Sequence, residues 1–367
     1  MESLALRALF NGAFADRRVL VTGHTGFKGS WLCLWLDAIG AEVTGMSLPD
    51  EGTQAHWPLL KLDKVRSLAI DLRDAAAVRE AMEEIRPEVV FHLAAQSLVR
   101  VSYRDPATTF STNVAGLVNL LEAVRSCDSV RAMVNATTDK VYLEMNEARG
   151  YRETDALGGH DPYSTSKACA ELITECYRKS FLDSIRPFLR VATARAGNVI
   201  GGGDWAEDRL VPDLVRSSIA SVPLRIRNPH AIRPWQHVLE SLSGYLSLAQ
   251  ALLDRKSAEG SWNFGPDESA ALPVCDLVAQ WMSQWPGAQV ESADGWHPHE
   301  AAVLLLDSSK AARELYWKPI WKAETTICRT IDWYRNYYQD GILKSRDDLA
   351  AYVDDATAAR LHWAIPS

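Results

Sequence analysis

The chain has 367 residues, more than one small core needs and enough for a nucleotide-binding domain with a smaller companion. Its 47% hydrophobic and 23% charged residues are ordinary for a globular protein, and a net charge of -8 gives no basis for binding polynucleotides or a membrane surface. Any anionic ligand therefore has to be met by locally placed Arg, Lys or backbone N–H groups. Cys33, Cys127, Cys169, Cys176, Cys275 and Cys328 are scattered without CxxC or CxxH spacing, which suggests neither a zinc site nor a disulfide framework. No apolar run approaches about 18 residues, and the opening MESLALRALFNGAFADRR has no signal-peptide pattern, so a cytoplasmic protein with reduced thiols is expected.

In chain order, RVLVTG reads as a strand, GSWLCLWLDAIGA as a helix, EVTGMSL as a strand and IDLRD as the end of another. A helix is expected from about Asp74 to Ile85, then the strand EVVFHLAA, the helix TNVAGLVNLLEAVRSC and the strand VRAMVNA. A long helix from about Tyr163 to Phe181 leads into a sixth strand, FLRVATARAGNVI. This alternation predicts an α/β fold, a doubly wound parallel sheet of the Rossmann type. After GGGDW the rhythm breaks, with IRNPHAIRPWQHV, a helix near Glu240 to Leu253, SWNFGPDE and a Trp-rich tail, which marks a smaller, discontinuous C-terminal α/β domain. The expected division is 1–196 with 237–260 for dinucleotide binding, and 197–236 with 261–367 for the substrate.

VLVTGHTGFKGSW sets Gly23, Gly26 and Gly29 at GxxGxxG spacing between a strand and a helix. The first glycine allows the tight turn, the second lets backbone approach a pyrophosphate, and the third packs helix on strand, while the helix N-terminus offers free N–H groups. Candidate cofactor contacts are Gly23, Thr25, Gly26, Phe27, Lys28 and Gly29 in the turn, Ser47 at the end of the second strand, Leu93, Ala94 and Ala95 after the fourth strand, and Asp71 and Leu72. The second strand ends on Ser47, with Asp50 three residues on, so no acidic group at that strand end selects NAD over NADP.

DPYSTSK puts Tyr163 and Lys167 on one helical face. A phenol of ordinary pKa about 10 is useless as a base, but a neighbouring ammonium and a cationic nicotinamide lower it toward about 7, roughly 4 kcal/mol. The phenolate then takes an alcohol proton. Just after VRAMVNA, the segment TTDKVY places Thr138, Asp139 and Lys140 side by side at a strand end.

Through GHTGFKG, FHLAAQ, TNVAG, TTDKVY and YSTSK the chain resembles the extended short-chain dehydrogenase/reductase family. RAGNVIGGGDW, IRNPHAIRPWQHV, WNFGP and HPHEA are similar to the branch of sugar-nucleotide 4,6-dehydratases that acts on CDP-glucose. The resemblance covers nearly the whole chain. It implies bound NAD, with Tyr163 and Lys167 among its contacts, and an internal redox elimination in which a 4-keto sugar forms, water leaves C6 and the product is a CDP-4-keto-6-deoxyhexose. Elimination needs an acid and a base beyond the Tyr-Lys pair. By resemblance Thr138 binds the 4-hydroxyl or Tyr163, Asp139 protonates the leaving group and Lys140 takes the C5 proton. That last role requires an ammonium of ordinary pKa about 10.4 to fall toward 7. If the segment is extended, Asp139 and Lys140 point to opposite sides.

By the same resemblance Arg209 and Arg233 grip the diphosphate, and Asn198 binds sugar or diphosphate. Trp235, His237, Asn263 and His299 line the nucleotide pocket, and Gln96 and Arg100 face the sugar. A homodimer or homotetramer built on the helices Asn113 to Cys127 and Tyr163 to Phe181 is implied. A sugar-nucleotide 4-epimerase, a dehydratase of another nucleotide sugar and a non-catalytic NAD(H) or nucleotide-sugar sensor remain alternatives.

Overall fold

In a computed structural model, the structure describes residues 2–49, 54–145, 149–183, 186–220, 222–226, 228–254, 256–267, 271–292 and 304–365. Seven strands form one parallel sheet: β1 (Arg18–Thr22), β2 (Glu42–Ser47), β3 (Arg66–Ala69), β4 (Val89–His92), β5 (Ala132–Ala136), β6 (Arg190–Ala196) and β7 (Gly260–Phe264). Their spatial order is 3-2-1-4-5-6-7, the doubly wound arrangement expected. The chain reverses its direction of winding between β1 and β4, which opens a crevice at the carboxyl ends of those strands.

The helices that position the site are α1 (Phe27–Ala38), α2 (Ala75–Ile85), α3 (Gly116–Ser126) and α4 (Pro162–Tyr177). Local chemistry sets where they start. Asp74 caps α2 by accepting from the N–H groups of Ala76 and Ala77, and Asp161 caps α4 by accepting from Ser164 N–H, with Pro162 as its first residue. The long helix after Tyr163 leaves α geometry at Arg178 and ends in a wider π turn, Arg178–Leu182.

The sheet and the tail depart from the expected division of the chain. Gly260–Phe264 pairs in parallel with β6 over five residues, so a boundary at 260/261 would cut the seventh strand of the dinucleotide-binding sheet. The carboxyl-terminal helices α7 (Ala323–Asp340) and α8 (Ser345–Ala358) follow two earlier helices of that half, α5 (Leu210–Ala220) and α6 (Val238–Asp254). The tail packs on the Rossmann half. Trp35 of α1 meets Tyr352 at 5.7 Å and Trp363 at 5.5 Å between ring centroids, and Trp363 stacks on Phe10 at 5.1 Å. This explains why α1 is apolar all round: residues 29–36 are buried on every face, between sheet and tail. Short strand pairs build the substrate side: Val199–Ile200 with Gln236–His237, Ile232–Pro234 with Ala271–Pro273, and Leu224–Ile226 with Val290–Ser292. No helix among the described residues is long and apolar enough to cross a membrane.

Truncating Trp363 to Ala should lower the free energy of unfolding by about 3–5 kcal/mol, measured by denaturant titration. A loss under about 1 kcal/mol would show that the tail is not part of the core.

Candidate active site

A cleft of about 1220 Å³ runs along the carboxyl edge of the sheet, from the glycine-rich turn to the short strands beyond β6. At its near end Gly23 has φ +74°, and a Cβ there would come within 2.7 Å of the Ala94 backbone. A Cβ on Gly29 would run into the Gly23 carbonyl. The turn is thus as tight as the motif requires. Gly26 stands at the N-cap of α1 and brings no capping side chain, so the first N–H groups of the helix are left for an anion. A dinucleotide pyrophosphate fits this cradle.

Thr25, Phe27, Lys28, Ser47, Asp71, Leu72, Leu93, Ala94 and Ala95 all line the same end. Ser47 is tied to the turn, accepting from Thr25 Oγ1 at 3.0 Å and sharing a 2.8 Å hydrogen bond with His24 Nδ1. Both oxygens of Asp71 are gripped by Arg73 at 2.5–3.0 Å, and that hydrogen bonding holds its carboxyl below the usual range. Asp50 lies outside the described residues.

The reacting end gathers where β5 stops. Thr138, Asp139, Lys140, Tyr163 and Lys167 all line the cleft there. The chain does not stay extended past Ala136: Thr138 caps a 3-10 turn, Asp139–Val141. That turn gives the two adjacent charges different surroundings. Asp139 is 1% exposed, with Oδ2 unpartnered among the described residues, whereas the Lys140 side chain is 33% exposed. Lys140 Nζ lies 3.6 Å from Asp139 Oδ1, which also accepts from Thr138 Oγ1 at 3.0 Å. Tyr163 donates its N–H to Ser102 Oγ at 3.2 Å, and its phenol is hydrogen-bonded to Thr138. Burial pushes that phenol up to about 12, away from the lowered value expected with a charged cofactor beside it. Lys167 donates to the Ala136 carbonyl at 3.0 Å, and burial pulls its ammonium down to about 8.

Lys28 belongs to this end as well. Its side chain is partly open to the cleft but surrounded by protein, donates to Tyr245 OH at 3.3 Å, and is pulled down to about 7, first by burial and then by Arg209.

Gln96, Arg100, Asn198, Arg209, Arg233 and Trp235 line the remainder. The Gln96 amide holds its own loop through Leu98 and Thr109. Arg100 bonds Asp208 across the cleft at 2.9 Å, and Arg209 bonds Asp204 at 3.0 Å and Ser97 at 3.2 Å. Asp204, Ser97 and Tyr245 were not singled out by sequence. Asp204 carries a signal, its place in GGGDW; Tyr245, one tyrosine in an apolar helix, carries none.

Two expected pocket residues are elsewhere. His237 is fully buried, packed against Trp31 and Trp321 at 5.8 and 4.9 Å, because the short strand carrying it turns its side chain under α1. Asn263 is also buried. It accepts from Tyr142 OH at 2.7 Å and donates to the Tyr151 carbonyl at 2.8 Å, so it fastens the loop after the Asp139–Val141 turn and is not among the residues that line the cleft. His299 lies outside the described residues.

Comparison with known proteins agrees with this geometry. The sequence family described as GDP-mannose 4,6 dehydratase matches residues 20–330. The CDP-glucose 4,6-dehydratase of Salmonella typhimurium is 45% identical over 93% of this chain and 97% of its own length. The dTDP-glucose 4,6-dehydratase of Xanthomonas campestris pv. campestris is 27% identical over 86% of this chain and 92% of its own. Among solved structures, the UDP-glucose 4-epimerase of Thermus thermophilus, in complex with NAD, superposes with a TM-score of 0.76 at 28% identity, covering 87% of this chain and 99% of that one.

The placement of His237 is testable. Burial pulls its pKa down from 6.5 to about 3. The unfolded chain therefore binds a proton below about 6.5 that the folded chain refuses until about 3, so this contribution is intact above 6.5 and is lost as pH falls. In His237→Leu the decline of unfolding free energy between those values should be shallower by about 1.4 kcal/mol per pH unit, with nucleotide affinity unchanged. A weakened nucleotide affinity with an unchanged slope would return His237 to the pocket.

Proposed function

The chain belongs to the GDP-mannose 4,6-dehydratase family of extended short-chain dehydrogenases/reductases, and from that premise we propose that it is an NAD-dependent CDP-glucose 4,6-dehydratase. This hydro-lyase converts CDP-D-glucose to CDP-4-keto-6-deoxy-D-glucose and water. One observation carries the substrate: identity to a CDP-glucose enzyme along nearly the whole chain, well above that to the dTDP-glucose enzymes. The reaction type is supported by the buried Asp139 and the neighbouring Lys140 beside the Tyr-Lys pair, one group to give a proton and one to take it.

NAD is held in this reading by the turn Gly23 to Gly29, Ser47, Asp71, Leu72 and Leu93 to Ala95, with Tyr163 and Lys167 at its reactive end. When bound there, NAD would supply the two-electron redox chemistry, holding what C4 gives up until C6 receives it. Tyr163 accepts the proton of the 4-hydroxyl, and Thr138 keeps phenol and sugar in register. Burial raises the phenol first and Asp139 and Asp161 add to it, so the hydrogen bond from Thr138 and the charge of Arg209 work the other way and a cationic ring beside it would have to supply the remainder.

With C4 oxidised to a carbonyl, the C5 proton becomes acidic. Lys140 takes it, and Asp139 gives a proton to the departing C6 hydroxyl. Because Lys140 and Asp139 lie 3.6 Å apart, the proton that one gains replaces the proton that the other has lost. When C6 takes the electrons back, C5 must be protonated, and the exchangeable proton that Tyr163 accepted from the 4-hydroxyl balances that step; one transfer from Lys140 to Asp139 then returns the pair to where it began.

Arg209 and Arg233 take the substrate diphosphate, Asn198 and Trp235 the sugar and nucleotide, and Gln96 and Arg100 the hexose rim. The working protein is a cytoplasmic homodimer or homotetramer joined along α3 and α4, where Leu172 is 59% exposed. A 4-epimerase is the second reading, favoured by the likeness to the Thermus enzyme. It leaves the buried Oδ2 of Asp139, unpartnered among the described residues, without a task.

CDP-, dTDP-, GDP- and UDP-glucose supplied in parallel to the NAD-loaded protein should give an alkali-absorbing 4-keto product fastest from CDP-glucose. Equal or better turnover of another nucleotide removes the substrate assignment and keeps the reaction. Lys140→Met should bind NAD and oxidise C4 but lose dehydration by about 10²–10⁴-fold, whereas Tyr163→Phe should lose C4 oxidation itself. Dehydration near the wild-type rate in Lys140→Met would mean that another group is the base.

A further inference from the structure

Glu171 lies one helical turn beyond Lys167 and is 3% exposed. Its carboxylate accepts from Thr137 Oγ1 at 2.5 Å, Thr193 Oγ1 at 2.6 Å, Arg195 Nε and Nη2 at 2.9 and 2.8 Å, and Ser261 Oγ at 3.1 Å. The residue that follows β5 and two neighbouring strands, β6 and β7, thus converge on one carboxylate of the helix that carries Tyr163 and Lys167. A buried ion pair is seldom more stabilising than apolar residues of the same shape, so stability alone does not account for this concentration of polar groups.

The geometry accounts for it. Thr137 immediately precedes Thr138. On the other side of the turn, Arg195 Nη1 donates to Tyr142 OH at 2.8 Å, its guanidinium lies 4.9 Å from the Tyr142 ring centroid, and Tyr142 follows Lys140 by two residues. The segment between these two anchors carries Thr138, Asp139 and Lys140, none of which touches the pair.

We propose that Glu171 and Arg195 are positioning residues of the reaction centre: their buried ion pair pins both flanks of the turn Thr138–Val141 and sets that turn against Tyr163 and Lys167. The inference rests on the dehydratase reading for the roles of the turn, and it adds a function to residues outside the cleft. A second consequence is electrostatic. Burial pulls Lys167 down and Glu171 pushes it back up. Burial works against the Glu171 charge too, but Arg195 and the hydroxyl donors hold its carboxyl below the usual range. The other titratable groups that interact with Lys167 are Lys28 from α1 and His92 from β4, and His92 is itself held neutral by burial. Glu171 is therefore the negative charge that keeps Lys167 an ammonium while the phenolate of Tyr163 forms.

The test separates anchoring from charge. Thr137→Val removes one anchor and leaves the ion pair. It should lower kcat for dehydration at least about 10-fold, with KM within about twofold and the alkaline limb of the pH profile unmoved. Glu171→Gln keeps the shape and removes the charge, and should move that limb about one unit toward lower pH, since Lys167 then loses its proton more readily. If Glu171→Gln fails to fold because Arg195 is left unpaired, Glu171→Gln with Arg195→Met removes both charges and carries the same readout. Unchanged kcat and an unmoved pH limb, with only the melting temperature lowered, would reduce the pair to a structural role. Wild-type turnover of CDP-glucose alongside keeps this outcome distinct from failure of the substrate assignment.

Discussion

Because every strand of the central sheet runs the same way, all its strands end on one edge, and everything this protein does depends on what that edge brings together. The turn after β1, the loops after β4 and β5 and the end of β6 are distant in sequence but neighbours in register. Gly23 approaches Ala94 so closely that no side chain can intervene. One strand further along, Lys167 reaches the last carbonyl of β5 and fixes α4 to the same edge. Cofactor cradle and proton chemistry are two halves of a single line of strand ends.

Cations and acids are interspersed along the cleft. A protein of net charge -8 gathers Lys28, Lys140, Lys167, Arg73, Arg100, Arg209 and Arg233 along one cleft. Several are engaged by acids on the cleft wall: Arg73 by Asp71, Arg100 by Asp208, Arg209 by Asp204. Those carboxylates hold the guanidinium groups in place without removing their charge. A diphosphate bound there would meet an oriented set of donors, with less side-chain ordering left to do on binding. The Glu171–Arg195 pair follows the same logic one layer deeper.

Periodicity and turn chemistry made the frame legible. Strand, turn and helix around Gly23, Gly26 and Gly29 follow from local residues, and YxxxK spacing puts Tyr163 and Lys167 on one face whatever the remainder of the fold does. Five short, well-bounded apolar runs gave five strands directly. SWNFG did not: the helix before it is legible, but nothing local says that the chain returns from that helix to pair with β6. His237 and Asn263 show the same limit at single residues. Both stand in segments that resemble pocket motifs, but a two-residue strand decides which way His237 turns, and the partner of Asn263 is a tyrosine 121 positions away. Glu171 sat in plain view, four residues after Lys167, yet its meaning lies in Thr137, Thr193, Arg195 and Ser261, which only the sheet brings together.

The central claim is that two electrons and a proton leave C4 and return to C6 of the same sugar while water departs between. CDP-glucose carrying deuterium at C4, turned over by the NAD-loaded protein, tests it directly, with the label located in the product by NMR. The account predicts deuterium at C6 and a solvent-derived hydrogen at C5. Deuterium still at C4 of a sugar that keeps its C6 oxygen, or lost to solvent, would contradict it.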